Sequence, residues 1–223
     1  MPPNPANLVR RFLAHSTCTV SDALDRLNLK GAPRGILPIW SGFPRIAGRA
    51  ATMRLVPEGP ASPVRGTLET IAAAGPGEVL VIDHGGRLDV NSFGGIASTT
   101  ARRRRLSGVV IDGVTRDVDE MKTMRFPAFG RGVIQQSVRG RCAFGGRGVE
   151  VGLGGVLVRP GDLVVADVNG VVLVPWDRAE EVLRIVQECA AAEKKVKAWI
   201  AKGIDPVEAH ERARYDVLGS SSG

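Results

Sequence analysis

The sequence predicts a mixed α/β domain with a helical extension at its C-terminus, and three patterns carry that prediction. Two continuous apolar runs, 79–83 (Val-Leu-Val-Ile-Asp) and 109–113 (Val-Val-Ile-Asp-Gly), each bring an acid and a glycine to the end of a strand, with a helical stretch between them. Such runs suit strands buried on both faces of a sheet. Residues 149–174 read as all-β, and 178–202 as one long amphipathic helix.

In chain order, residues 6–29 read as helical, with apolar spacing at Leu8, Phe12 and Leu13 and with Ser21 as a candidate N-cap for a second short helix. The Gly/Pro-rich stretch 31–44 is loop, 46–55 a strand, and 57–63, with three prolines, loop again. A short helix over 67–74 ends at Gly75-Pro76-Gly77. After the first apolar run, 94–106 form a helix that opens on small residues and ends on Arg102–Arg105. Cations there suit the helix dipole, and the run is expected to be a solvated end. A short helix over 117–124 and a strand at Val133-Ile134 follow. In the β region, 149–153 and 156–158 flank Gly154-Gly155, and 163–167 and 171–174 flank the hairpin turn Asn169-Gly170. The long helix places Val182, Ile185, Val186, Cys189, Val196 and Ile200 on one side, with Gly203 to stop it. Residues 1–177 are thus expected to form the main domain and 178–218 a helix packing on a neighbouring subunit, with 219–223 a disordered tail.

Composition narrows the function classes. The net charge is +7, but only six of the basic residues are lysine, aromatics make up 4%, and no zinc-finger spacing or aromatic RNA-binding strand occurs. No nucleic-acid partner is expected from that pattern. Cys18, Cys142 and Cys189 form no CxxC pair, which argues against a disulfide framework or a structural zinc. With neither a secretory leader pattern nor a membrane-length apolar run, the expected location is the cytoplasm.

The polar groups at strand ends are the candidate site. Ligands in α/β sheets sit beyond the carboxyl ends of strands, and helix starts attract anions. Asp83, Gly94, Gly95, Ile96 and Ala97, and the segment from Asp112 to Asp117 are therefore expected to share one pocket. Arg116 offers a planar fork for a carboxylate or a developing oxyanion. Asp117 offers one hard oxygen ligand, and Mg²⁺ commonly takes only one or two protein carboxylates. The plain alternative is that Asp117 caps the next helix and Arg116 makes a surface pair. His84, beside Asp83, is expected to be hydrogen-bonded in a loop. None of the six lysines falls in an expected core strand, which disfavours Schiff-base chemistry, and no nucleophile elbow accompanies the histidines.

A resemblance adds to this reading. Gly48-Arg49-Ala50-Ala51-Thr52, Phe93-Gly94-Gly95-Ile96-Ala97-Ser98, the segment 108–117 with its Asp-Gly-x-x-Arg-Asp core, and Val156-x-Val158-x-Pro160-Gly161-Asp162 stand in the order found in the RraA-like family. The match spans about residues 20–200. It implies the family's α-β-β-α swivelling-domain sandwich, assembled as homotrimers or homohexamers. It also implies a class II aldolase that cleaves a 4-hydroxy-2-oxo acid of the 4-hydroxy-4-methyl-2-oxoglutarate type to pyruvate, with oxaloacetate decarboxylase activity. Asp117 would then hold Mg²⁺ or Mn²⁺, Arg116 would stabilise the enolate oxygen, and the N–H groups of Ile96 and Ala97 would receive the substrate carboxylate. Glu193 of a neighbouring subunit would reach the metal through water. The aldolases carry an acid where this chain has Gly95, so one carboxylate of the shell is expected to be missing. The same family includes non-catalytic regulators that bind a ribonuclease. They typically lack an acid after the arginine, whereas Asp117 is present here.

Overall fold

The computed structural model describes residues 5–213. Helices α1 (Pro5–Phe12) and α2 (Thr17–Arg26) come first. The N-cap of α2 is Ser16, in extended conformation, whose hydroxyl accepts from Thr19 N at 3.2 Å. Ser21, the expected cap, lies inside the helix. The apolar spacing of Val20, Ala23 and Leu24 extends the helix back to the first hydroxyl that can satisfy a free N–H.

A short strand β1 (Leu37–Pro38) precedes β2 (Ile46–Val56), α3 (Pro63–Ala73), β3 (Val79–Asn91), α4 (Gly95–Arg103), β4 (Gly108–Thr115) and α5 (Val118–Met124). Then come β5 (Ala128–Gly130), β6 (Gly132–Val133), β7 (Ala143–Arg147), the hairpin β8 (Val151–Leu153) and β9 (Val156–Val158), and the hairpin β10 (Leu163–Asp167) and β11 (Gly170–Val174). A 3-10 turn at Trp176–Arg178 leads into α6 (Ala179–Ala201) and α7 (Pro206–Arg212).

The main sheet runs β1-β5-β4-β3-β2-β10-β11, with β6 also on β4 and β7 also on β2. Strands β2 to β5 are parallel, joined by crossover helices, while β10 and β11 add antiparallel. The sheet curls until β1 meets β11, so the α/β sandwich has a nearly closed mixed β-barrel at its centre. Every residue of β4, β10 and β11 is buried, as the unbroken apolar runs require.

Two apolar cores result. One gathers Met53, Ile82, Ile111, Phe93, Phe126 and Phe129 under α3 to α5. The other packs α1, α2 and α6 against the β10–β11 hairpin through Phe12, Leu24, Val172, Val182 and Val186. Each such side chain, once buried, contributes roughly 1.5–3 kcal/mol relative to exposure. The length of α6 alone suggested a neighbouring subunit as its partner. Within the chain Val182, Leu183, Ile185, Val186 and Cys189 of α6 pack in the core with α2 and the hairpin, while Ile200 near its end is 41% exposed. Among the described residues the extension is two helices, with Asp205 capping α7 through Val207 N and Glu208 N. The tail 219–223 lies outside the described residues. No helix among those described is long and apolar enough to cross a membrane.

Strand β3 departs most from expectation. It does not stop at Asp83. Asp83 faces Asp112, Arg87 faces Gly113 and Asn91 faces Val114, so three residues of β3 are set aside at each of two register shifts. Gly85 (φ +63°) and Gly86 (φ +72°) make the departure from the ladder. The excursion returns the chain to the sheet at Asn91, directly before α4.

Candidate functional site

The segment between β3 and α4 is tied to the end of β4 by one carbonyl. Phe93 O accepts from Thr115 Oγ1 at 2.7 Å, from Arg116 N at 3.1 Å and from Asn91 Nδ2 at 3.3 Å. Ser92 N donates to Val114 O at 3.1 Å. These bonds place the start of α4 beside the Arg116–Asp117 turn, and a cavity of about 160 Å³ opens between them. At 10–15 Å³ for one water-sized probe, that space holds a small acid and several waters.

The cavity is lined by Gly94, Gly95, Ile96, Ala97, Arg116 and Asp117, all anticipated as site residues from sequence. Asp117 takes a left-handed backbone conformation (φ 56°, ψ 42°), uncommon for a residue with a side chain. It makes no side-chain bond to its own helix α5. Instead Oδ2 accepts from Gly95 N at 2.8 Å, capping α4 from a different segment. Its Oδ1 has no hydrogen-bond partner among the described residues. The N–H groups of Ile96 and Ala97, in the first turn of α4, also make no hydrogen bond to the protein. Two free donors at a helix start form an anion seat.

Arg116 Nε stands 3.3 Å from Asp117 Oδ2, but the angle makes this an ion pair and not a hydrogen bond. The buried Nε–H is left without an acceptor. Asn91 is the second unsatisfied group. It is 4% exposed, lines the cavity, and its Oδ1 has no partner. With Nδ2 held by the Phe93 carbonyl, Oδ1 is left to accept from a water or a ligand in the cavity. An unmade bond of this kind costs about 1–3 kcal/mol. Unsatisfied buried groups beside a hollow therefore point to a ligand.

Among the residues that line the same cavity but were missing from the sequence reading are Asn91, Glu120 and Arg139. Glu120 had a usable signal, since it lies three residues after Asp117, in the first turn of the short helix that starts beside the site. Asn91 had none, because the strand carrying it was expected to end eight residues earlier. The apolar wall of Val64, Leu68, Phe93 and Val138 comes from three separate segments. The room at Gly95 is not empty either. A Cβ built there would lie 2.7 Å from Glu120 Cδ and Oε1.

Asp83 and Asp112 do not reach the cavity. Asp83 Oδ2 accepts from Gly152 N at 3.0 Å and Arg54 Nε at 3.1 Å. Asp112 accepts from Gly154 N at 2.9 Å and Arg131 Nε at 2.5 Å. The register that pairs the two strand ends turns both carboxylates to the β8–β9 hairpin, which they pin to the sheet. His84 is buried, with its Nε2 3.2 Å from Val90 O, and burial lowers its pKa. Arg102 and Arg104 reach the Met124 and Ala72 carbonyls, so part of the expected solvated end binds backbone. Glu193 does not line the cavity of its own chain. It pairs with Lys197 on α6 and, after burial and Asp25, helps raise the pKa of Asp22. Among the described residues no three His, Cys, Asp or Glu side chains gather into a possible metal cage.

Known proteins resemble this chain over most of its length. A family model described as RraA-like, Aldolase/RraA, matches residues 17–173. DlpA of Legionella pneumophila is 29% identical over 211 residues, 94% of this chain but 34% of that protein, so the chain spans about a third of DlpA. A Halalkalibacterium halodurans protein, provisionally named a 4-hydroxy-4-methyl-2-oxoglutarate aldolase, is 29% identical over 205 residues, 92% of this chain and 93% of its own. The crystal structure of an uncharacterized protein from Pseudomonas syringae pv. tomato superposes with a TM-score of 0.87 at 30% identity, covering 94% of this chain and 95% of that one.

Proposed function

The chain belongs to the RraA-like family, and on that footing we propose that it is a divalent-metal-dependent class II aldolase. In this reading it cleaves a 4-hydroxy-2-oxo acid of the 4-hydroxy-4-methyl-2-oxoglutarate type to pyruvate and also decarboxylates oxaloacetate. The observation that carries the reading is a convergence. One carboxylate with a free oxygen, one guanidinium and two free helix N–H groups face a single cavity at Asp117, Arg116, Ile96 and Ala97.

The donor set fits a hard cation that keeps most of its waters. Asp117 Oδ1 is the available ligand, and the unpartnered Asn91 Oδ1 is an acceptor suited to a hydroxyl or a water in the cavity. When bound, Mg²⁺ or Mn²⁺ would act as a Lewis acid on the 2-oxo group. The chain's own groups do the rest. Ile96 N and Ala97 N receive the C1 carboxylate at the positive end of α4. The Arg116 guanidinium would stabilise the negative charge that develops on the 2-oxo oxygen as C3–C4 breaks and the 4-hydroxyl gives its proton to a water in the cavity. Val64, Leu68 and Val138 keep bulk water from that charge. A homotrimer or homohexamer belongs to the same reading. Ile96, 66% exposed at the rim, is where a second copy would close the cavity and bring its Glu193 near.

The test is pyruvate release from 4-hydroxy-4-methyl-2-oxoglutarate and from oxaloacetate, with Mg²⁺ and with EDTA, for the wild type and Asp117→Ala. Activity that needs Mg²⁺ and is lost in the variant is expected. Activity that survives EDTA, or that is indifferent to Asp117→Ala, overturns the metal site at Asp117, and no pyruvate release under any of these conditions would leave the non-catalytic, protein-binding role instead.

A further inference from the structure

The two glycines that open α4 act as paired seats for acids. A Cβ at Gly94 would lie 2.7 Å from Asp117 Oδ2, and a Cβ at Gly95 would lie 2.7 Å from Glu120 Cδ and Oε1. Neither carboxylate could hold its position if residues 94 and 95 carried side chains. Asp117 and Glu120 thus lie side by side over the same helix start, and both line the cavity. Their surroundings differ. Asp117 is bonded to Gly95 N, whereas Glu120 has no hydrogen-bond or ion-pair partner among the described residues. Glu120 is itself exposed in the first turn of α5, where solvent and the helix dipole satisfy a carboxylate in many positions. Here it folds over a buried glycine toward the hollow where Asn91, 4% exposed, turns an unsatisfied Oδ1. The acid expected to be absent at position 95 is thereby replaced by one reaching the same place from α5.

The geometry points to Glu120 as the second carboxylate of the site, a positioning residue that accepts hydrogen bonds from waters around a divalent cation held by Asp117. This rests on the reading of Asp117 given above. Two nearby carboxylates raise the local negative potential and add a second acceptor, and both effects favour a hydrated dication over a monovalent one.

The experiment is a substrate-free titration of the full-length protein with Mn²⁺, followed by the electron paramagnetic resonance signal of the free ion. Four proteins are compared: wild type, Glu120→Ala, Asp117→Ala and the double variant G95D/E120A. Glu120→Ala is expected to weaken Mn²⁺ binding about tenfold, the scale of outer-shell partners, with an unchanged thermal melt. The double variant moves the acid into the vacated seat and is expected to recover most of that loss, which a merely structural role for Glu120 would not produce. Wild-type affinity in Glu120→Ala, or no recovery in the double variant, overturns the role of Glu120 while leaving Asp117 untouched. If Asp117→Ala binds Mn²⁺ as the wild type does, or if the wild type binds none, the cation reading fails and the Glu120 role falls with it.

Discussion

Asp167 and Asp117 both stand at the ends of sheet segments, one in the hairpin half of the molecule and one in the crossover half, and their surroundings are opposite. Asp167 is 6% exposed and fully engaged. It accepts from Thr17 N at 3.0 Å, Thr17 Oγ1 at 2.7 Å, Asn169 N at 2.9 Å and Arg45 Nε at 3.2 Å, tying α2 to the β10–β11 turn. Burial alone would push its pKa up, but these bonds outweigh that and hold it below the usual carboxylate value. Asp117 has a left-handed backbone, one N–H bond and a free oxygen. The hairpin half leaves no buried side-chain atom unsatisfied among the described residues, while both that do exist, Asn91 Oδ1 and Arg116 Nε, border the cavity. The unmade bonds of this fold lie where a ligand or water can complete them.

The contrast can be broken at four points. The largest effect is expected at Asp117. Asp117→Ala should lower metal-dependent turnover by more than about 100-fold, since loss of a ligand exceeds loss of an outer-shell partner. Stability should move by no more than about 1 kcal/mol, the size of one cap. Urea melts beside steady-state kinetics separate the two, and a large drop in stability would make Asp117 a structural residue like Asp167.

Asp167→Ala should do the reverse. It leaves Thr17 and Arg45 without their acceptor and should cost about 3 kcal/mol, read from the denaturation midpoint, with kcat/KM of the folded protein unchanged. A loss of turnover at full occupancy of the folded state would show that the two halves are coupled.

The pH dependence follows the same division. The pKa of Asp167 is lower in the folded chain than in the unfolded one, so its stabilisation is present above the ordinary aspartate value near 3.9 and is lost as pH falls through the folded value. His84, also lowered, adds an earlier decline that begins as pH drops below its ordinary value near 6.5. Denaturation midpoints from pH 8 to 3 should therefore fall in two stages. His84→Gln should flatten the first and Asp167→Asn the second. A wild-type curve that rises toward acid between pH 7 and 5 contradicts the sign for His84.

The smallest change is expected at Asn91. Asn91→Leu removes an unsatisfied acceptor and one 3.3 Å bond, so stability should stay within about 1 kcal/mol of wild type. The KM for the 2-oxo acid should rise more than kcat falls. Destabilisation beyond about 2 kcal/mol would place Asn91 with the structural polar groups.

What could be read from the sequence was whatever repeats or runs unbroken. The buried strands around Val81 and Val110, the hairpin turn at Asn169-Gly170 and the long α6 all stand out by apolar pattern. Strand β7 (Phe-Gly-Gly-Arg at its centre) does not alternate, and its pairing with β2 comes from tertiary contact. In the site, Gly94 to Ala97, Arg116 and Asp117 lie within two short segments, so local order was enough to bring them together. Asp83 and Asp112 looked equivalent to Asp117 because sequence records that an acid follows a strand, not which way it turns. Asn91 was hidden by the excursion in β3, which has no local signature beyond Gly85-Gly86.

That excursion has a consequence for how the chain can change length. Residues 84–86 and 88–90 leave the ladder on either side of Arg87 while β4 advances only from Asp112 to Val114. Their two ends are therefore anchored independently of what lies between them. Adding residues near Leu88, which is 59% exposed, enlarges a closed loop at about 0.6 kcal/mol per doubling and leaves the pairing of Asn91 with Val114 as it was. Insertions that would displace every downstream side chain in an ordinary strand can here accumulate on the surface, next door to a cavity whose registration they do not disturb.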